Sequence, residues 1–222
     1  TVYIFNDWID RQADSKHPEK RTRPIASGQI NGKIALFTGL LTLLMSILIG
    51  LFFLNLEVLA ITGSYLVLNL AYTLILKNIA ILDVSCIATG FVLRLFAGSE
   101  ATGIELSSWI ITLTFLLALF LALAKRRDDV IREKRGEERT RTSIKGYNLR
   151  FLDQTMTVMG AVVIVAYLQY CHAADRTIQI TTSRLYLSTA FVVIGLLRYM
   201  QLAIVEERSG NPTRILIEDR FT

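Results

Sequence analysis

The sequence contains few residues of the kinds that build disulfide frameworks or cysteine-based metal sites. It has two Cys and two His among 222 residues. Cys86 and Cys171 stand alone, without the spacing of a disulfide framework or a metal site, so both are expected to be inert. The sequence also has no internal repeat, Walker-type loop, Gly-rich dinucleotide fingerprint or Ser/His/Asp arrangement. Motif-based nucleotide binding and serine hydrolysis are therefore not indicated.

Polar stripes at helical period are almost absent from the long apolar runs, which argues against a large soluble helical bundle. Hydrophobic residues make up 52% of the chain, and the mean hydropathy is +0.45. Each run is close to the roughly 20 residues that cross a bilayer as a helix. The runs are 34–54, 58–76, 106–124, 151–170 and 185–205, with a less regular span at 80–98. The sequence predicts an all-α, polytopic membrane helical bundle.

Basic and basic-poor loops alternate along the chain. The segment from Asn6 through Lys33 carries six Lys or Arg and residues 125–150 carry ten, whereas residues 55–57 and 98–108 carry none. Because basic loops stay cytoplasmic, we expect a multi-pass protein of the cell (inner) membrane whose active site faces the cytoplasm. The net charge of +5 is then a topology signal, and nucleic-acid binding is not needed to explain it.

Four oxygen-bearing side chains share one face of the first predicted helix. At about 100° per residue they fall within an arc of roughly 100°. They are Asn6, Asp7, Asp10 and Asp14. Carboxylates this close repel one another unless a cation lies between them, and hard oxygen ligands suit Mg²⁺ that bridges to a substrate's phosphates. The alternative is a solvated helix end that happens to be acidic.

A loop with two prolines follows at 15–28, where Pro18, Pro24 and Gly28 predict ordered loop rather than helix. It carries four cations next to the carboxylates: Lys16, Lys20, Arg21 and Arg23. Beyond a Mg²⁺ site, such cations can grip the phosphate oxygens that the metal leaves free. As a topology signal alone, the cluster needs no such role.

Ionisable residues also occur inside predicted spans. Asp83 and Arg94 are eleven residues apart, about three helical turns, so they share a face with Gly90 between them. Such groups normally face a bundle interior or a cavity, which fits a substrate site and an interhelical ion-pair scaffold equally. Arg198, about two turns inside the last span, has the same two interpretations. Lys77 lies in a turn on the basic side of the membrane and is also predicted to bind substrate.

The fourth long span runs into Lys-Arg-Arg-Asp-Asp at 125–129. Cations in the last turn of a helix are favoured by its dipole and mark a membrane boundary, so most of these charges need no special role. Lys125, Arg126 and Asp129 stand out because they fall on the same side as the acidic face. Residues 140–147 are expected to form a surface connection. Interfacial anchors are expected to follow at Tyr147, Arg150 and Asp153.

The sequence resembles the UbiA superfamily of intramembrane prenyltransferases. The resemblance rests on Asn6-Asp7-x-x-Asp10-x-x-x-Asp14 at the end of a membrane helix and on the basic loop that ends Arg23-Pro24-Ile25-Ala26-Ser27-Gly28. It implies a single UbiA-like transmembrane domain over 1–222. Because the family usually has about nine helices, we expect flanking helices to be missing at both ends.

The region at 125–129 departs from the ring-prenylating members, which carry a second Asp-rich motif there. One acidic and one basic motif fit one metal-bound diphosphate plus one phosphate gripped by cations. That combination resembles the decaprenyl-phosphate phosphoribosyltransferase branch. Three further stretches resemble it: Asp83-Val84 with Gly90–Arg94, Lys125–Asp129, and Arg198-Tyr199 followed by Asn211-Pro212-Thr213.

The resemblance implies Mg²⁺-dependent transfer of 5-phosphoribose from phosphoribosyl diphosphate to a polyprenyl phosphate, feeding arabinose-containing cell-wall polymers. Asp10, Asp14 and Asp129 would be catalytic, and the four acidic-face residues would hold Mg²⁺ and the diphosphate. Lys20, Arg21 and Arg23 would touch donor phosphates, and Lys125 and Arg126 would meet the lipid phosphate or the donor. No catalytic histidine is expected. The sequence leaves a homo-oligomer open.

Two other functions compete with this one. An aromatic or quinone-precursor prenyltransferase of the same superfamily remains open because of Asp128 and Asp129. A non-enzymatic ion or lipid transporter is disfavoured, because its acidic or broken-helix features would be expected near the bilayer midplane.

Overall fold

The computed structural model describes residues 1–15, 20–53, 55–136, 142–178, 185–207 and residue 219. Within these residues the chain is helical and has no strand. The seven α-helices are α1 Val2–Asp14, α2 Gly32–Phe53, α3 Leu56–Leu74, α4 Leu82–Thr102, α5 Ser108–Lys134, α6 Leu149–Ile178 and α7 Thr189–Ile204. Short 3-10 turns are Lys20–Thr22, Leu76–Asn78, Thr142–Gly146 and Leu185–Ser188.

Six segments of the described chain are long and apolar enough to cross a membrane, and they correspond to the six predicted spans. Their outward faces are strongly apolar: in α2, Leu40, Leu44 and Leu51 are all more than half exposed. Leucines exposed at this density are favourable in contact with lipid tails and unfavourable in contact with water. The chain is a multi-pass membrane protein, as predicted.

Two compact units divide the chain. Unit 1 comprises Thr1–Leu76 and Leu93–Glu105, and unit 2 comprises Lys77–Val92 and Leu106–Thr222. The division falls within α4, whose first half belongs to unit 2 and whose second half belongs to unit 1.

In unit 1, α1 packs against α2 and α3. The Thr1 and Thr42 hydroxyls are 2.9 Å apart and join α1 to α2. Gly39 allows close approach, since a Cβ there would lie 3.4 Å from Cγ2 of Ile4. The start of α3 is capped by Asn55, whose side chain accepts a hydrogen bond from the Val58 N–H. These contacts fix the helix that carries the acidic face.

In unit 2, α5 and α6 form the main packing, with α7 against α6. The centre of this core is aromatic and aliphatic: Phe120 and Tyr199 have ring centroids 5.6 Å apart, and Leu152 and Met156 are fully buried. The close packing holds the charged end of α5 against its neighbours.

Loop predictions had mixed outcomes. Residues 20–28 form a 3-10 turn followed by further turns, as expected of the proline-containing loop, while residues 16–19 lie outside the described residues. The surface position predicted for 140–147 is wrong for Ser143, Ile144 and Tyr147, which are buried. They are buried because the Thr142–Gly146 turn packs on other parts of unit 2, including α5.

Candidate functional site

The acidic face of α1 converges on one arginine. Nη1 of Arg23 lies 2.6 Å from Oδ1 of Asp7 and 2.9 Å from Oδ2 of Asp14. The turn that follows presents this arginine: the Ser27 N–H donates to the Arg23 carbonyl at 2.8 Å. The Asp14 side chain is only 8% exposed. Two carboxylates therefore meet at one cationic atom, as the repulsion argument requires.

The other two acidic-face residues lie beside this pair. Oδ1 of Asn6 accepts a hydrogen bond from the Thr73 hydroxyl at 3.3 Å, which links α1 to α3. Asp10 is half-buried on α1. Among the described residues, no group of three or more His, Cys, Asp or Glu side chains is arranged to hold a metal ion.

The oxygen atoms of the acidic face are nevertheless the kind of ligand that Mg²⁺ prefers. This ion keeps several waters and is usually held by one or two carboxylates together with substrate phosphates. Asp7 and Asp14 already place two carboxylate oxygens around a single positive charge. A complete protein cage is not required, so the residues present suit a metal that arrives with a diphosphate.

Of the other cations predicted to bind substrate near this site, the structure describes the side chains of Arg21 and Lys77. Arg21 is exposed in the turn after α1, and Lys77 is buried in the turn after α3. Lys16 lies outside the described residues, as does the side chain of Lys20. Among the loop cations whose side chains the structure describes, Arg23 is the one that reaches the carboxylates.

Arg94, in the unit 1 part of α4, contacts Tyr65 of α3. Its Nε donates to the Tyr65 hydroxyl at 3.2 Å, and Nη2 donates to the same oxygen. The guanidinium carbon also lies 5.0 Å from the centre of the ring, within cation–π range. This contact supports the interpretation of Arg94 as part of an interhelical scaffold. A substrate-binding role for Arg94 stays a prediction.

A second group of charges lies in unit 2, where the start of α4 meets the charged end of α5. Nε of Arg126 pairs with Oδ2 of Asp83 at 2.7 Å, and Nη1 of Arg126 donates to Asp129. Asp83 is completely buried and Arg126 is 3% exposed, whereas Lys125 is exposed. Arg126 is therefore held between two protein carboxylates.

Tyr147 completes this group. Its hydroxyl donates to Oδ1 of Asp83 at 2.6 Å and accepts from the Ile81 N–H at 2.7 Å. Burial, and then the hydrogen bond to Asp83, raise the pKa of Tyr147 above its usual value, so the phenol stays protonated. Ile81 adopts φ +70°, which costs a β-branched residue about 1–3 kcal/mol.

The other charges near the end of α5 are paired as well. Arg127 donates to Asp153 at 2.6 Å and to the Ala203 carbonyl, at the C-terminal end of α7, at 2.7 Å. Nε of Arg132 pairs with Asp128 at 2.8 Å. Arg198, predicted to bind substrate, donates two hydrogen bonds to the carboxylate of Asp219.

The sequence did not identify Tyr147 as a site residue. Its prediction as an interfacial anchor is wrong, because the ring is buried and the hydroxyl is bonded on both sides. The two residues that bind its hydroxyl, Ile81 and Asp83, are distant in the sequence, and no local pattern around Tyr147 indicates this role.

Comparison with known proteins decides the family. A sequence model described as the UbiA prenyltransferase family matches residues 1–215. The chain belongs to the UbiA prenyltransferase family. The predicted all-α fold of the UbiA type is confirmed by a solved structure, a UbiA homologue from Archaeoglobus fulgidus bound to DMAPP and Mg²⁺. Its TM-score is 0.69 at 17% identity, and the match covers 93% of this chain and 71% of that one.

Two relatives of this UbiA-family chain are both named decaprenyl-phosphate phosphoribosyltransferase. The protein from Corynebacterium glutamicum is 33% identical over 169 residues, which are 75% of this chain and 50% of that protein. The protein from Mycolicibacterium smegmatis is 29% identical over 226 residues, which are 99% of this chain and 70% of that protein. The chain thus spans half the length of the first relative and about 70% of the second.

Proposed function

We propose that this UbiA-family chain transfers 5-phosphoribose from phosphoribosyl diphosphate to a polyprenyl phosphate of the decaprenyl type, with Mg²⁺ and with release of diphosphate. The observation that carries the proposal is the convergence of Asp7 and Asp14 on one cation. The names of the two relatives support the choice of substrates. The proposed reaction takes place at the cytoplasmic membrane face and supplies arabinose precursors of the cell envelope.

The acidic face is proposed to bind the donor. Asn6, Asp7, Asp10 and Asp14 hold Mg²⁺ and the diphosphate, and the bound ion supplies neutralisation of the leaving group's charge. Arg23 and Arg21, with Lys20, bind phosphate oxygens of the donor. Charge-assisted bonds from guanidinium groups to phosphate are short and strong, so these residues orient the donor as well as hold it.

The end of α5 is proposed to serve the acceptor and the reacting ribose. Lys125 is exposed on the helix and binds the lipid phosphate. An oxygen of that phosphate forms a bond to the anomeric carbon of ribose, while the bond from this carbon to the diphosphate breaks and the diphosphate leaves with the electron pair. The lipid phosphate is already ionised, so no general base is required.

Carboxylates favour the positive charge that develops at the anomeric carbon during this exchange. Asp129, with Asp10 and Asp14, is assigned this role. Lys77, Asp83, Arg94 and Arg198 stay predicted substrate-binding residues, and Asp83, Arg94 and Arg198 also have protein partners in the described structure.

The second candidate is transfer of a prenyl group from a polyprenyl diphosphate to an aromatic ring. It needs a second acidic motif to hold metal near the end of α5. Asp128 pairs with Arg132, and Asp129 pairs with Arg126. The cations Lys125, Arg126, Arg127 and Arg132 outnumber these two carboxylates, so this end of α5 suits an anionic phosphate better than a metal, and this favours the phosphoribosyl reaction.

The decisive experiment supplies membranes that contain the chain with polyprenyl phosphate and phosphoribosyl diphosphate labelled in the ribose. Label is expected in the lipid fraction only when Mg²⁺ is present. Asp10→Asn is expected to abolish the transfer while folding and membrane insertion stay intact. Transfer of label to lipid only from a labelled prenyl diphosphate would establish the second candidate, and full activity of Asp10→Asn would remove the metal role of the acidic face.

A further inference from the structure

The hydroxyl of Tyr147 joins a strained turn to a buried carboxylate. It accepts a hydrogen bond from the Ile81 N–H and donates one to Asp83. The left-handed backbone of Ile81, at φ +70°, persists only where the surrounding structure enforces it, and such outliers concentrate at functional sites. The turn before α4 is also tightly packed, because a Cβ on Gly146 would lie 2.5 Å from Cβ of Ala80.

Asp83 carries this constraint across to α5. Oδ1 is fixed by Tyr147, and Oδ2 pairs with Nε of Arg126 at 2.7 Å. A guanidinium group is planar and its donors form a rigid fork, so fixing Nε also fixes the direction of Nη1. That atom donates to Asp129.

Side-chain exposure rises along the same path. It is 0% for Asp83, 3% for Arg126 and 20% for Asp129. Asp129 is therefore where the buried connection reaches the surface of α5. A carboxylate at the charged end of a helix would otherwise be free to choose among several rotamers.

We propose that Tyr147 is a positioning residue which, through Asp83 and Arg126, fixes the carboxylate of Asp129. The inference rests on the proposed function, in which Asp129 acts on the ribose. It also changes the role expected of Arg126, which orients a carboxylate instead of gripping a phosphate. Loss of the Tyr147 hydroxyl or of the Arg126 guanidinium group then lowers kcat and leaves the KM of both substrates unchanged.

The test is steady-state kinetics of the full chain carrying Tyr147→Phe, which keeps the ring and removes the hydroxyl. Misplacing a reacting group by about 1 Å costs on the order of a hundredfold in rate, so we expect kcat to fall by about tenfold to a hundredfold. The KM of each substrate is expected to stay within about twofold, because no ground-state contact with substrate is lost. Arg126→Lys is expected to give the same pattern, since an ammonium group lacks the rigid fork.

Tyr167→Phe is the matched control. The Tyr167 hydroxyl also lies in unit 2 and is also hydrogen-bonded, but its partner in the part of the chain that the structure describes is Oγ of Ser188, at 2.9 Å, and not a member of the path to Asp129. Its kcat is expected to match that of the unaltered chain. A double-mutant cycle gives the second readout: in an Asp129→Asn background, Tyr147→Phe is expected to lower kcat by less than about twofold, because coupled residues are not additive.

Two kinetic results would overturn the proposal: an unchanged kcat in Tyr147→Phe, or the same fold-loss with and without Asp129. Where Tyr147→Phe does not accumulate, Arg126→Lys takes its place, because it keeps the charge beside Asp83 and removes the rigid fork, and an unchanged kcat in Arg126→Lys then overturns the proposal. An unaltered chain that transfers no phosphoribose overturns the proposed function instead. The positioning role is then tested by high-resolution structures of the unaltered and Tyr147→Phe chains, in which unmoved Arg126 and Asp129 side chains would overturn it.

Discussion

Nε of Arg126 lies 2.7 Å from Oδ2 of Asp83, and neither side chain is more than 3% exposed. Burying two charges removes both from water, and their attraction only offsets that loss when the geometry is good. Breaking such a pair is much more costly than never forming it, because one charge is then left uncompensated. The ion pair therefore makes the start of α4 and the end of α5 depend on each other.

Asp83→Asn is expected to lower the free energy of unfolding by about 3 kcal/mol, the lower end of the range for breaking a buried pair, because Arg126 retains Asp129. The matched control is Glu207→Gln, which removes the carboxylate partner of Arg135. The side chains of Arg135 and Glu207 are 53% and 42% exposed, so the loss of this pair is expected to cost about 1 kcal/mol or less. Denaturant unfolding of the detergent-solubilised chain measures both, and equal losses would contradict the role of burial.

Arg23→Gln is expected to change metal binding and donor binding in opposite directions. Without donor, Arg23 occupies the position between Asp7 and Asp14, so removing its charge frees both carboxylates for a cation. A partly exposed ion pair is worth up to about 1 kcal/mol, which corresponds to about fivefold tighter binding of Mn²⁺ used as the probe. With Mg²⁺ present, inorganic diphosphate is expected to bind more weakly, since a cationic partner is lost.

Electron paramagnetic resonance titration with Mn²⁺ measures the first change and calorimetry with diphosphate the second. Arg21→Gln is the control for the first, because it removes an equal charge from an exposed position in the adjacent turn; its Mn²⁺ affinity is expected to match that of the unaltered chain. A Mn²⁺ affinity that falls in Arg23→Gln would show that Arg23 does not compete with the metal.

Gly146→Ala is expected to destabilise the chain, because the added Cβ would lie 2.5 Å from Cβ of Ala80 and the backbone would have to shift. Overpacking of this kind typically costs about 1–3 kcal/mol. Gly63→Ala is expected to stabilise the chain instead. Nothing lies within 4 Å of the added Cβ, and Ala is favoured over Gly inside a helix by roughly 0.5–1 kcal/mol. Thermal unfolding midpoints compare the two, and a stabilised Gly146→Ala would contradict the close contact.

Lys125→Gln is expected to raise the KM of polyprenyl phosphate by about tenfold, with little change in kcat, because the charge-assisted bond proposed between Lys125 and the lipid phosphate would be lost. Lys134→Gln is the control, since Lys134 is also exposed but lies in the last turn of the same helix. A tenfold change at Lys134 as well would indicate a general electrostatic effect of the helix end, not a contact made by Lys125.

The six spans could be predicted because a bilayer demands about 20 apolar residues and the sequence supplies them in runs. The residue at which α5 ends could not be predicted in this way. The apolar run stops at residue 124, whereas the helix continues to Lys134. It continues because Arg126, Arg127 and Asp128 are buried with ionic partners, some of which come from other helices.

The acidic face of α1 was visible in the sequence, since helical periodicity alone places its four residues together. The sequence did not show that Arg23, and not Arg21, reaches the carboxylates, because the path of a turn decides which side chain points toward them. Tyr147 was missed for a related reason: both partners of its hydroxyl, Ile81 and Asp83, lie more than sixty residues earlier in the chain.

The length of α5 has a consequence for the surrounding lipid. Its 27 residues extend about 40 Å, roughly 10 Å more than the hydrocarbon thickness of a typical bilayer. The charged turns Lys125–Lys134 take up about 15 Å of this length, so the apolar part of α5 extends only about 25 Å. In a thicker bilayer the helix must straighten or draw these charges toward the acyl chains, and hydrophobic mismatch of this kind carries a free-energy penalty for each ångström. The acyl-chain length of the host membrane thereby sets where Lys125, the proposed binding residue for the lipid phosphate, lies relative to the headgroups.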